Sequence, residues 1–245
     1  MGWLSLAALR EKTQLLKVLS APEIIYKLPA PIKVTAPSVQ ASAVASNGGN
    51  LQITATAHGM TGGTVVGSSV YVSAGTGWTA GLYSILSVDS VNTYTLNVAR
   101  GTLGVPTVAL ANNSDELTLL TTPGQILTSV YASVNGIMTA ECSGQNTNTK
   151  RIIFDFGTMR ALNINMSAAA DFGMCAPIGI KNIGSLSVQK SYNIASVAGG
   201  YGKTTAAPVG GTVNTGASYS MYARAIFSAA NDIITLNELD IMVRQ

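Results

Sequence analysis

From about residue 41 to the C-terminus, apolar residues recur at every second position, a period that suits a half-buried β-strand and excludes an amphipathic helix. In LQITAT, Leu51, Ile53 and Ala55 share one face while Gln52, Thr54 and Thr56 take the other; TYTLNV does the same with Tyr94, Leu96 and Val98. Between them SSVYVS and GLYSILSV are two further strand candidates, each bounded by glycine. Four short strands within about 50 residues predict a small barrel-like or sandwich module over residues 41–112.

A second β region runs over residues 113–245. Ile152, Phe154 and Phe156 alternate with Arg151 and Asp155, and Leu162, Ile164 and Met166 alternate with Asn163 and Asn165. LSVQKSYNIA, YSMYARAIF and DIITLNELDIMV repeat the pattern, the last with a phase slip at Asn237 and Glu238 that reads as a β-bulge. Such strands, joined by loops such as SGQNTNT and GGTVNTG, predict a jelly-roll-like antiparallel β-sandwich. No periodic βαβ pattern occurs, which argues against a nucleotide-binding α/β fold. The fold class expected is therefore mainly β.

The first 40 residues follow a different rule. Leu6, Leu9, Leu16 and Leu19 fall at helical spacing, with Ser5 as a plausible N-cap. APEIIYKLPAPIKVTAP follows, where Pro22, Pro29, Pro31 and Pro37 hold the backbone extended and remove donors. A helix plus a stiff linker would make an arm with too little apolar surface to fold alone. Its leucine stripe, with Ile24, Ile25, Tyr26, Ile32 and Val34 of the extended part, is expected to dock on a partner.

Charge supports that expectation. Charged residues make up 10% of the chain, against about 25% in an average protein. A folded surface so poor in charge has little to keep copies apart, which favours an oligomer or an assembly component. The first 40 residues carry five basic and two acidic groups; the rest balance nine against nine. So small an excess is too sparse for a nucleic-acid groove. Cys142 and Cys175 lie in no metal-ligand spacing, and two isolated thiols suit a reducing cytoplasm. No secretory signal is read at the start, and no uninterrupted apolar run reaches the roughly 18 residues of a membrane span.

Three stretches imitate catalytic motifs. His58, the only histidine, sits in TAHGMTGG with no second histidine, nucleophile elbow or acidic pair nearby. A turn in which Gly59, Gly62 and Gly63 supply positive φ is the simpler reading. Gly202-Lys203-Thr204 imitates the end of a phosphate-binding loop, but the required glycine five positions earlier is Val197, and TTAAPVGG breaks any following helix. Glu238 and Asp240, two apart on a strand, would aim both carboxylates at one face, the minimum for glycosidase chemistry and equally common on solvated strands. Tyr192, Tyr201, Tyr219 and Tyr222 suit a recognition surface or core packing equally. No catalytic residue, cofactor or metal is expected.

Residues 57 to 96 resemble a small β module of tailed-bacteriophage virion and tail proteins. The matching elements are Ala57-His58-Gly59, Gly67 before Val70-Tyr71-Val72-Ser73, Gly81-Leu82-Tyr83-Ser84-Ile85 and Thr93-Tyr94-Thr95-Leu96. Where that family often has Gly-Asp, this chain has Gly67-Ser68, and its loop is longer. The C-terminal region looks like the β-sandwich heads of phage decoration and fibre proteins. The resemblance implies a virion structural protein of the capsid decoration, cement or head-fibre type, assembled in the host cytoplasm. Its arm would bind the major capsid protein or neighbouring virion subunits, its body would be a trimer, and nucleic acid and membrane would not be partners. The alternative is a tail-fibre or baseplate adhesin that recognises the host.

Overall fold

The computed structural model describes residues 23–111, 115–143, 150–166, 171–191 and 209–245. The expected helix, with Leu6, Leu9, Leu16 and Leu19, lies outside the described residues. The described chain starts with β1 (Glu23–Lys27) and β2 (Ile32–Val34). Next come β3 (Ala43–Asn47), β4 (Asn50–Thr54), a single helical turn α1 (Gly62–Val65), β5 (Ser69–Ala74), β6 (Gly81–Ser90), β7 (Thr93–Ala99) and β8 (Thr107–Val108). The last group is β9 (Leu117–Pro123), β10 (Ser133–Ser143), β11 (Lys150–Phe156), β12 (Met159–Met166), β13 (Asp171–Asn182), β14 (Gln189–Ser191), β15 (Val209–Gly211), β16 (Ser220–Ile226) and β17 (Ile233–Arg244). The protein is mainly β.

Two sheets form. The larger has the order β15-β14-β13-β10-β17-β2-β5-β6-β7-β4-β3, with β1 also on β17 and β8 on β5; the smaller, antiparallel, has the order β12-β11-β16-β9. The larger sheet is mixed because β2 meets β5 in parallel, Val34 opposite Ser69, whereas the other pairings are antiparallel.

Period-two alternation explains how the two sheets face each other. From β10, β13 and β17, Val134, Met138, Ala176, Ile178, Leu236, Leu239 and Ile241 point into one core; from the smaller sheet Leu117, Ile152, Phe154, Phe156, Ile164, Met221 and Ala223 meet them. Each of the larger of these side chains, taken from water, contributes on the order of 1.5–3 kcal/mol, so this interface is a main source of stability. The bulge read at Asn237 is present: Glu238 lies opposite Thr139 and Leu236 opposite Ala140, with Asn237 left over.

β13 has no counterpart among the strands read from the sequence, because Gly173, Pro177 and Gly179 break the pattern. It is nonetheless the neighbour of β10 along its full length, with Pro177 opposite Ile137. Proline has no N–H to donate, so this pair must be a non-hydrogen-bonded one, with the imide nitrogen turned to the other edge. On that edge the described part of β14 pairs with Ile180 to Asn182.

The four strands expected in the module, β4 to β7, are present, and Leu51, Ile53, Val70, Ile85, Tyr94 and Leu96 form a second core with Met60, Val65 and Ala230. The module is not a closed barrel. β6 pairs with β5 through Gly81 to Ser84 and with β7 from Ile85 onward, so an open sheet bends around this core.

The extended arm is corrected from Glu23 on. β1 pairs with β17, Glu23 opposite Val243 and Lys27 opposite Asp240, and β2 pairs with β17, Ile32 opposite Leu236 and Val34 opposite Ile234. Pro29 and Pro31 fall in the gap between β1 and β2, where they interrupt no ladder. An extended backbone with free donors and acceptors satisfies a sheet edge as readily as it spans solvent, and here the edge belongs to its own chain.

Candidate functional site

Among the described arm residues expected to meet a partner, only Ile24 is strongly exposed, at 62%. It stands opposite Met242. Ile25, Tyr26 and Ile32 lie half-buried against the main core, and Val34 is fully buried. These side chains therefore serve the chain's own packing and form no continuous outward strip. Burial raises the Tyr26 phenol above its ordinary pKa.

His58 is architecture. It is fully buried, its Nδ1 accepts the backbone N–H of Met60 at 3.1 Å, and its Nε2 lies 3.0 Å from the carbonyl oxygen of Ser90. Accepting at Nδ1 and donating from Nε2 together correspond to the neutral Nε2–H tautomer. Its ring packs edge-on against Tyr94 with centroids 5.4 Å apart. Gly59 has the expected positive φ of 77°, and Ala57, for which none was expected, has one of 58°. Gly62 and Gly63 do not supply it; they open α1 instead, because the chain must turn inward to bury Val65.

Glu238 and Asp240 share the outer face of β17, as the i, i+2 spacing requires. Lys27 pairs with Asp240 at 3.4 Å, so the arm strand neutralises one of them. Tyr219 packs on Phe156 with centroids 4.7 Å apart and donates its hydroxyl to the carbonyl of Gln125 at 2.9 Å, and burial raises its phenol. Cys142 is buried and Cys175 exposed, in register with Phe172 and Thr139 respectively, so the two do not meet. Tyr192, Tyr201 and Lys203 lie outside the described residues. Among the described residues no three potential ligands gather into a metal site, and no helix is long and apolar enough to cross a membrane.

The most organised polar surface was not singled out from the sequence. On the outer side of the smaller sheet a shallow depression is lined by Asp155, Gly157, Thr158, Arg160, Tyr222 and Arg224. Glu116, just before β9, receives Arg160 through two parallel contacts, Nη1 to Oε1 and Nη2 to Oε2, both 2.7 Å. Arg160 Nε also donates to Asp155 Oδ1 at 3.1 Å. Arg224 Nη1 donates to Glu116 Oε2 at 3.0 Å, its Nε lies 3.3 Å from Asp155 Oδ2, and its guanidinium covers the Tyr222 ring at 4.8 Å. β9, β11, β12 and β16 each position one member, so the network clasps all four strands.

Hydrogen bonding from Arg160, only partly opposed by desolvation, holds Glu116 below its ordinary pKa, and the same contacts raise Arg160. Two guanidiniums and two carboxylates balance in charge, although the buried Nε of Arg224 has no hydrogen-bond partner. A second groove beginning at Thr158 and Arg160 extends past Gln189, Lys190 and Thr212. The arrangement is a charge-balanced polar face in which both carboxylates are engaged with arginines.

Only the outward position of Asp155 on its strand was visible beforehand, because Glu116 and Arg224 are 108 residues apart. Compared with known proteins, the chain matches no family model and no curated protein sequence.

Proposed function

We propose that this chain is a structural protein of a tailed-bacteriophage virion, of the capsid decoration, cement or head-fibre type, built on a jelly-roll body. The observation that carries the reading is strand order. Following the chain, β1 and β2 enter the larger sheet, β9 the smaller, β10 the larger, β11 and β12 the smaller, β13 the larger, β16 the smaller and β17 the larger. The orders β13-β10-β17-β2 and β12-β11-β16-β9, with the first strand beside the last, are those of a jelly roll, an architecture used by viral capsid and lectin domains. On this reading β3 to β8 are a module inserted between its first and second strands.

Charge poverty supports an assembled state, because uncharged surface gains most from being covered by copies or by a shell. Attachment is assigned to residues 1–22 with the leucine stripe, since the segment from Glu23 onward is occupied with β17. The partner is the major capsid protein or a neighbouring virion subunit, and a trimeric body is the proposed form. A repeated lattice strengthens attachment through such a segment by multivalency.

The test is a truncation lacking residues 2–20, which leaves β1 and β2 intact. It is expected to keep the thermal transition of the full chain while losing co-sedimentation with capsids stripped of this protein. Undiminished binding would refute the anchor. Adsorption of the full chain to host cells without capsid binding would move the assignment to the tail-fibre or baseplate alternative.

A further inference from the structure

Lys150 opens β11, and Asp232 ends the turn between β16 and β17. Of the ion pairs among the described residues, this is the one whose two side chains are both wholly shielded from solvent, 0% exposed. Nζ lies 3.1 Å from Oδ1, yet neither atom has a hydrogen-bond partner, so the two groups touch without the alignment of a hydrogen bond. The other carboxylate oxygen is held: Oδ2 accepts the backbone N–H of Ala229 at 2.9 Å. The turn is pinned further by Thr35, whose hydroxyl lies 2.9 Å and 2.7 Å from the carbonyl oxygens of Ala230 and Asp232. Phe227, Ile233 and Ile234, neighbours along the chain, are buried too.

A desolvated ammonium and carboxylate are costly to keep unless their geometry is excellent and their remaining lone pairs and protons are satisfied. Here they are not satisfied. A buried lysine amine is also a competent nucleophile once it gives up its proton, and a preorganised backbone N–H aimed at a carboxyl oxygen stabilises the charge that develops there when the carbon is attacked.

We propose that Lys150 and Asp232 join in an intramolecular isopeptide bond between Nζ and Cγ. One proton passes from Nζ to Oδ1, leaving an amine facing a carboxylic acid. The amine lone pair attacks Cγ, and the negative charge falls on Oδ2, where the Ala229 N–H receives it. A second proton passes from Nζ to Oδ1, the Cγ–Oδ1 bond breaks, and one water leaves. The product is a secondary amide; nothing is oxidised or reduced, and no co-reactant is consumed. The bond ties β11 of the smaller sheet to the residue preceding β17 of the larger, so the two faces of the sandwich are joined covalently. Like a disulfide, such a link restricts the unfolded chain, but it does so without depending on redox conditions. This inference does not rest on the virion assignment.

Mass spectrometry of the denatured full-length protein tests it. The expected mass is one water below that of the sequence, and a tryptic digest should contain a branched peptide joining the Lys150 and Asp232 segments, uncut at Lys150. An intact mass equal to that of the sequence, with linear peptides ending at Lys150, overturns the proposal. Lys150→Ala and Asp232→Ala must each restore the full mass of their own sequences, a reading that needs no folded variant. Loss of water persisting in either would place the dehydration elsewhere and equally overturn the assignment.

Discussion

At Gly136, β10 approaches β17 so closely that a Cβ there would collide with the backbone carbonyl oxygen of Asp240. That atom cannot rotate away as a side chain would, so the two central strands would have to part. Gly136→Ala is therefore expected to destabilise the fold by about 1–3 kcal/mol, read as a lower urea midpoint; a change within about 0.5 kcal/mol would mean that the ladder yields at no cost. His58 obeys a different residue-level logic. Its type and glycine-rich setting suggest chemistry, but both ring nitrogens are engaged with backbone atoms, Met60 N–H and Ser90 oxygen, and the ring is packed on Tyr94. The absence of a partner motif in the sequence already favoured a turn. Which glycines would carry positive φ was decided by Val65, whose burial wound Gly62 and Gly63 into a helical turn.

Among elements, the outer face of the smaller sheet is held by charges drawn from four strands. Glu116 is held below the ordinary carboxylate range chiefly by Arg160. Burial would raise Asp89 in the module, but hydrogen bonds from Ser87, Thr95, Gln52 and Asn47 outweigh it and hold it low. A carboxylate with a lowered folded pKa contributes stability that is complete above its unfolded value and disappears as pH falls through the folded one. The contribution of these carboxylates is thus expected to be flat above about pH 5 and to decline below about pH 4. Glu116→Gln should be less stable at neutral pH and should show a shallower acid decline, measured by urea unfolding at several pH values. An identical acid slope in the variant would show that the clasp adds nothing. The strands themselves were legible wherever apolar alternation was clean, as in β4, β7, β11 and β17. β13 was hidden because Gly173, Pro177 and Gly179 break its local pattern, and Pro177 is accommodated by the pairing geometry beside β10.

At the level of the whole molecule, the turn between β16 and β17 is the meeting point. Ala230 belongs to the module's core, Asn231 Oδ1 accepts the Thr61 N–H at 2.7 Å, and Thr35 of the first segment binds the carbonyls of Ala230 and Asp232. With β2 and β5 also adjacent, the module and the sandwich are expected to unfold together in one calorimetric transition; two well-separated transitions would show that they fold independently. Local pattern by itself determined that the chain is mainly β, which faces are apolar, and that charged residues are few, because side-chain period and composition are properties of the chain alone. Tertiary structure decided what the first extended segment pairs with, which distant arginines and acids meet, and that Lys150 lies against Asp232. An apolar extended strand carries the same signal whether its ladder partner is its own β17 or another molecule. Contacts between residues about a hundred positions apart depend on the order in which strands enter the sheets, and no local period records that order.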